Sequence, residues 1–229
     1  MNKTLGVGIG CGILVMLAVV HAHDPVTRVT WNTEIARIVQ ARCVACHSPD
    51  GRGPMSLVTY EDARPWAKAI KEEVLTRRMP KWHAVRGYGD FRNDPSLSSF
   101  EIALIVAWAD GGAPRGAPVN PSATANGERP AHADDGRPAV ITMTVPCGER
   151  PLPEGTLVAV EPDTVKEGSI GMAVQLPDGR REIVGWIRDF DPDFATTYWL
   201  RSPLTLPPGS ILSTEPRDGC RVTLSLARR

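Results

Sequence analysis

The chain has no excess of charge: 26 Lys and Arg balance 26 Asp and Glu over 229 residues. Its basic residues form no dense stripe, so the electrostatic footprint of a nucleic-acid binder is missing and no nucleic-acid partner is expected. No internal repeat is evident, which sets aside solenoid and propeller architectures. No apolar run reaches the ~20 residues that a membrane-spanning helix prefers. The longest, Leu5 to Val20, follows a single positive charge at Lys3 and leads into Val20-His21-Ala22. That layout reads as a signal peptide, residues 1–22, removed after Ala22. An uncleaved anchor is the alternative, and only then is membrane association expected. Histidines number five, and none follows His132. Cysteines also number five, and Cys11 leaves with the leader.

Of the four remaining cysteines, two stand in Cys43-Val44-Ala45-Cys46-His47. Two thiols three apart, with a histidine directly after the second, are the attachment signature of a c-type haem. Each sulfur adds across one haem vinyl group, and the imidazole of His47 becomes the proximal iron ligand. A thioredoxin-like dithiol would need a preceding strand, whereas Thr33 to Arg42 has a helical pattern. A zinc site would need further ligands, and the only other cysteine pair is far downstream. Haem c is attached outside the bacterial cytoplasm, so the leader and the motif agree on a periplasmic or otherwise exported protein. In an oxidising compartment Cys147 and Cys220 are expected to form a disulfide, with two buried free thiols as the alternative.

The mature chain divides by pattern. From Asp24 to about Ala117 it reads as helices and loops. The first helix is expected to be capped by Asn32 or Thr33, with Ile35, Ile38 and Val39 as its apolar stripe. A capping box at Thr59-Tyr60-Glu61-Asp62 starts a second helix, with Pro65 in its early turns and Trp66, Ile70 and Val74 along one face. Ser98-Ser99-Phe100-Glu101 starts a third, lined by Leu104, Ile105 and Trp108 and stopped at Gly111-Gly112. Residues 118–138 are rich in Pro, Gly, Ala and Asn and read as a linker. From Ala139 strand signals recur: Ile141, Met143 and Val145 alternate with threonines, as do Val222, Leu224 and Leu226 with polar residues. Pro177-Asp178-Gly179 reads as a hairpin turn and Leu206-Pro207-Pro208-Gly209 as a corner. Six or seven short strands suggest a small sandwich over 139–229. The expected fold class is α + β in separate domains: a small all-α haem domain over 24–117, then a small antiparallel β-sandwich.

The sixth iron position has several candidates: Met55, Met79, His83 and, further off, His132 and His23. Met79, in Arg77-Arg78-Met79-Pro80-Lys81-Trp82-His83, follows a helix and precedes a proline that would hold a short turn. Its soft thioether favours Fe(II) and raises the potential. His83 is the alternative ligand. Trp66 and Trp82 are candidates to pack on the ring or simply to fill the core. Arg64, Arg77, Arg78 and Lys81 could pair with haem propionates or form a solvated basic face. The carbonyl of Pro54, in Gly51-Arg52-Gly53-Pro54, is the expected partner of the other His47 ring nitrogen.

Residues 42–47, Leu57 to Lys68, Arg78 to Ala84 and Ala107 to Pro114 together resemble a family of bacterial c-type cytochrome domains. Lys81 stands where the family commonly has a second proline. The resemblance implies an electron-carrying haem domain with His47 and Met79 as ligands. Such domains often precede one similar to copper type II, ascorbate-dependent monooxygenases. Gly185 to Asp191 and Thr197 to Ser210 are similar to its last β-sandwich. Copper chemistry is not carried over, because no histidine follows His132 and Met143 with Met172 cannot hold a catalytic copper.

The functional expectation is a monohaem c-type cytochrome. It would transfer one electron at a time between redox partner proteins through a single covalent haem c, with no catalytic residues, the C-terminal region serving for docking. Two alternatives stand beside it: a redox subunit of a copper monooxygenase-like system, and a haem-containing binding or sensor module.

Overall fold

In a computed structural model of the chain, residues 28–118, 138–165 and 168–228 are described. The leader and nearly all of the expected linker lie outside these residues. Regular structure is dominated by eight strands in two four-stranded antiparallel sheets. These are β1 (Val140–Pro146), β2 (Glu149–Pro151), β3 (Gly155–Val165), β4 (Ile170–Gln175), β5 (Arg181–Ile187), β6 (Tyr198–Leu206), β7 (Ile211–Glu215) and β8 (Cys220–Ala227). One sheet has the order β1-β8-β3-β6 and the other β2-β7-β4-β5. Leu157, Val160, Ile170, Val174, Leu212 and Leu224 fill the space between them. Alternation builds this core, because successive strand residues face opposite sides. Val222 and Leu224 are fully buried, while Thr144 and Thr223 face outward and share a 2.7 Å hydrogen bond.

The turns expected from sequence form. Leu176 donates its amide to the Arg180 carbonyl at 2.8 Å across Pro177-Asp178-Gly179. Gly179 there has φ +88°, a value that glycine adopts at no steric cost. The Cys147–Cys220 disulfide forms, with Cα atoms 5.4 Å apart, at the point where the chain leaves β1 and enters β2. Among the described residues there are eight strands where six or seven were expected. The short, polar β2 carries no alternation that could have announced it.

The helices are few and short. A π-turn, Trp31–Ile35, continues as α1 (Ala36–Arg42). α2 (Tyr60–Ala63) passes through a 3₁₀ turn at Arg64–Trp66 into α3 (Ala67–Leu75), and α4 is Ser99–Asp110. Both expected capping boxes are present, Thr59 with Asp62 and Ser98 with Glu101. The first helix is capped by Thr30 rather than by Asn32 or Thr33. Thr33 closes the box from inside, and the Asn32 amide reaches the Ala117 carbonyl at 2.9 Å. Trp31 meets Trp108 at 5.9 Å and Tyr60 at 6.1 Å between ring centroids, which holds α1, α2 and α4 together.

The expectation of a separate all-α domain followed by a β-sandwich is overturned by what lies between α3 and α4. Phe91 belongs to the sandwich core, and Trp82 and Ala84 pack against it. The amide of Val85 donates to the Trp186 carbonyl at 2.7 Å and that of Arg188 to the His83 carbonyl at 2.9 Å, along β5. Arg92 donates to the Trp199 carbonyl and Arg201 to that of Asp90, both at 2.9 Å, along β6. Strands β5 and β6 are the outer strands of the two sheets. A single segment, residues 83–92, therefore covers one open edge of each sheet and satisfies backbone groups that would otherwise be unpaired. Tyr198 packs its ring 4.8 Å from Trp82 and 5.3 Å from Phe91. Burying an aromatic side chain of this size contributes roughly 2 kcal/mol. The protein is mostly β, with short helices built onto a sandwich that incorporates part of the N-terminal half.

Candidate functional site

Helix α1 delivers the Cys43–His47 motif. Cys43 is its C-cap, with its amide on the Val39 carbonyl at 2.8 Å. A further helical turn follows, in which Cys46 and His47 both donate to the Cys43 carbonyl, at 3.0 and 2.9 Å. Residues three apart on such a turn share a face. Both thiols are free and half-buried. Burial, and then the neighbouring Cys46, push the Cys43 thiol up to about 12. A redox dithiol needs the opposite, a thiolate stabilised by a helix N-terminus or a cation. Here the pair follows a helix C-terminus, whose negative pole disfavours a thiolate. Cys43 is thereby disfavoured as a redox thiolate.

The loop after His47 folds tightly back on it. The Gly53 amide donates to the Cys46 carbonyl at 2.7 Å, and the Leu57 amide to the His47 carbonyl at 2.8 Å. A Cβ on Gly51 would lie 2.1 Å from the Cys46 carbonyl oxygen. One on Gly53 would lie 2.6 Å from His47 Nδ1. Only glycine fits at either position. His47 Nδ1 stands 3.1 Å from the Met55 carbonyl oxygen and donates to it, leaving Nε2 as the free lone pair. The acceptor is Met55 rather than the expected Pro54, one residue further along the loop. Two glycines bracketing an arginine next to the motif were the available signal for this close approach.

The segment that carries the candidate ligands Met79 and His83 leaves α3. Arg77 takes φ +54° in the left-handed region, and the Arg78 and Met79 amides turn back to the Glu73 carbonyl at 3.0 and 3.3 Å. This C-terminal cap sets where Met79 projects from. Met79 is half-buried. Met55 packs on the helical core instead, and its carbonyl stands behind the His47 ring. His83 is half-buried, with its ring 5.9 Å from Phe190. Desolvation holds it below the usual imidazole range, against the nearby Asp191. His132 and His23 lie outside the described residues.

The other candidate haem contacts separate. Arg78 makes a bidentate pair with Glu73 at 2.8 and 3.0 Å. Lys81 sits 5.2 Å over the Phe194 ring. Trp82 packs against the sandwich core, while Trp66 is 43% exposed rather than lining a buried face of α3. The residues present fit a covalently held haem: two unbonded thiols, one oriented imidazole, and a glycine cradle that a single Cβ would fill. Among the described residues no group of three or more His, Cys, Asp or Glu is placed to hold a metal ion. No helix there is long and apolar enough to cross a membrane.

No protein-family model and no curated protein matches the chain. Among solved structures it is similar to three variants of a family 29 carbohydrate-binding module, each at 20% identity over 37% of this chain. The TM-scores are 0.23, 0.22 and 0.22, and the matches span 54%, 59% and 59% of those chains.

Proposed function

We propose that this chain is an exported, monohaem c-type cytochrome that passes single electrons between redox partner proteins. The observation that carries the reading is the orientation of His47: its Nδ1 is held by the Met55 carbonyl, behind a cradle of Gly51 and Gly53, on the turn that presents both free thiols. A metal-ligating histidine characteristically donates its other ring N–H to such an acceptor, which fixes tautomer and ring angle. Cys43 and Cys46 would hold the group covalently, His47 would supply the proximal nitrogen, and Met79 the opposite thioether, with His83 as the alternative. When bound, the haem supplies reversible one-electron iron chemistry.

The chain's own contribution is positional. The cap at the end of α3 fixes the backbone from which Met79 projects, and the carbonyl of Met55 keeps His47 from turning. If His47 and Met79 both held the iron, the group would supply one-electron transfer rather than chemistry on oxygen or peroxide. The Cys147–Cys220 disulfide supports residence in an oxidising compartment. Intact-mass analysis of protein from a host that matures c-type cytochromes, with absorption and EPR spectra of both oxidation states, tests the reading. One tetrapyrrole per chain and a low-spin iron with a weak Met-to-iron charge-transfer band are expected. A chain that exports and folds but gains no tetrapyrrole overturns it.

A further inference from the structure

The connection between β5 and β6 touches both segments that carry candidate ligands. On the first, Arg52, between the two cradle glycines, donates Nη1 to the carbonyls of Asp193 and Ala195 at 3.1 and 3.3 Å. On the second, Lys81 lies over Phe194, His83 lies beside Phe190, and the His83 carbonyl accepts from the Arg188 amide. The connection is itself stiff. Phe190 is buried in the sandwich core, and the Asp191 carboxylate caps the 3₁₀ turn Pro192–Phe194 through the Asp193 amide at 3.1 Å. Asp189 adopts φ +52° where the chain leaves β5.

We infer that residues 188–195 act as a brace that sets the separation of the His47 loop and the Met79 loop, with Arg52 as the positioning residue that ties the first loop to it. The inference rests on the cytochrome reading above. The His47 loop rests on the helical core at its two ends, through Val44, Met55 and Leu57, while its tip at Arg52 reaches the sandwich. The sandwich adds a common reference by holding the second loop through β5 and the tip of the first through a cation on two carbonyls. Charge-assisted bonds of this kind are among the stronger hydrogen bonds. A sandwich that only recruits partners would have no reason to grip the loop carrying the glycine cradle.

The full, matured chain is compared with Arg52→Ala, Arg52→Lys and Phe194→Ala by hydrogen exchange of the segment 46–57 and by midpoint potential. Arg52→Ala is expected to raise exchange in that segment about tenfold, the loss of one charge-assisted tie. It should also lower the preference for the reduced state by about tenfold, which is ~59 mV for one electron. Phe194→Ala is expected to shift the potential in the same direction, and Arg52→Lys to recover part of both effects. Wild-type exchange in Arg52→Ala refutes the brace, and faster exchange with an unchanged potential refutes its hold on the ligands. If the wild-type chain carries no haem, the cytochrome reading falls, while the exchange contrast still decides whether the loop is tied.

Discussion

Replacing Gly53 by alanine tests the cradle directly. The backbone of Gly53 has an ordinary φ, so the added methyl brings no conformational strain and acts by contact alone. It would arrive 2.6 Å from His47 Nδ1 and 2.9 Å from both His47 Cε1 and the Cys46 carbonyl oxygen. Ordinary van der Waals contact begins near 3.4 Å, so either the ring or the loop must move by about 0.8 Å. If the ring moves, the 3.1 Å bond to Met55 is lost; if the loop moves, the 2.7 Å bond from Gly53 to Cys46 is lost. Overpacking costs about 1–3 kcal/mol, and the broken hydrogen bond adds about 1 kcal/mol. A chain of this size loses roughly 2–4 °C of Tm per kcal/mol, so a fall on the order of 5–15 °C is expected. Circular-dichroism melts give that number, and intact mass gives the fraction of chains carrying covalent haem, which should drop with it. Gly155→Ala, where nothing lies within 4 Å of the added methyl, is the control. A Gly53→Ala protein that melts within about 1 °C of wild type would show that the loop yields freely and that the steric reasoning is wrong.

Removing the disulfide with Cys147→Ala and Cys220→Ala opens a loop of 73 residues and is expected to cost about 4 kcal/mol in urea unfolding; a loss below about 1 kcal/mol would mean that the unfolded chain is little constrained by it. Met79→Ala should abolish the Met-to-iron charge-transfer band while His83→Ala keeps it; a wild-type chain without that band, whose low-spin signal is lost only in His83→Ala, would make His83 the ligand. Phe91→Ala should cost about 3–5 kcal/mol, because the cavity opens in the sandwich core although the residue comes from between two helices. Burial pushes the Glu101 carboxyl up, but the Ser98 amide and hydroxyl and the Arg42 guanidinium outweigh it and leave it below the usual carboxylate range. Its contribution is thus present above the unfolded value of about 4.3 and is lost as pH falls through the folded value. Glu101→Gln should accordingly flatten the acid limb of the stability profile, and an unchanged limb would assign it elsewhere.

What could be read in advance was local. The boxes at Thr59–Asp62 and Ser98–Glu101 span one helical turn each, and their partners are three residues apart. The alternation in β1 and β8 and the turn at Pro177-Asp178-Gly179 are likewise short-range. Trp66 was misplaced because helical spacing gives a face, and only packing says whether that face is covered; it is exposed. The acceptor for His47 was missed by one residue because the register of the glycine loop depends on the bond from Gly53 back to Cys46.

The amino-acid order alone determined the chemistry on offer: two thiols and an imidazole on one turn, a glycine pair beside them, and strands that had to find partners. Tertiary structure alone decided that no separate all-α domain forms, because residues 83–92 carry no periodic signal and are drawn to strand edges about 100 positions away in the chain. Unpaired backbone on β5 and β6, and an aromatic pocket ready for Phe91, outweigh any local preference of that segment. Neither force is visible until the sheets exist.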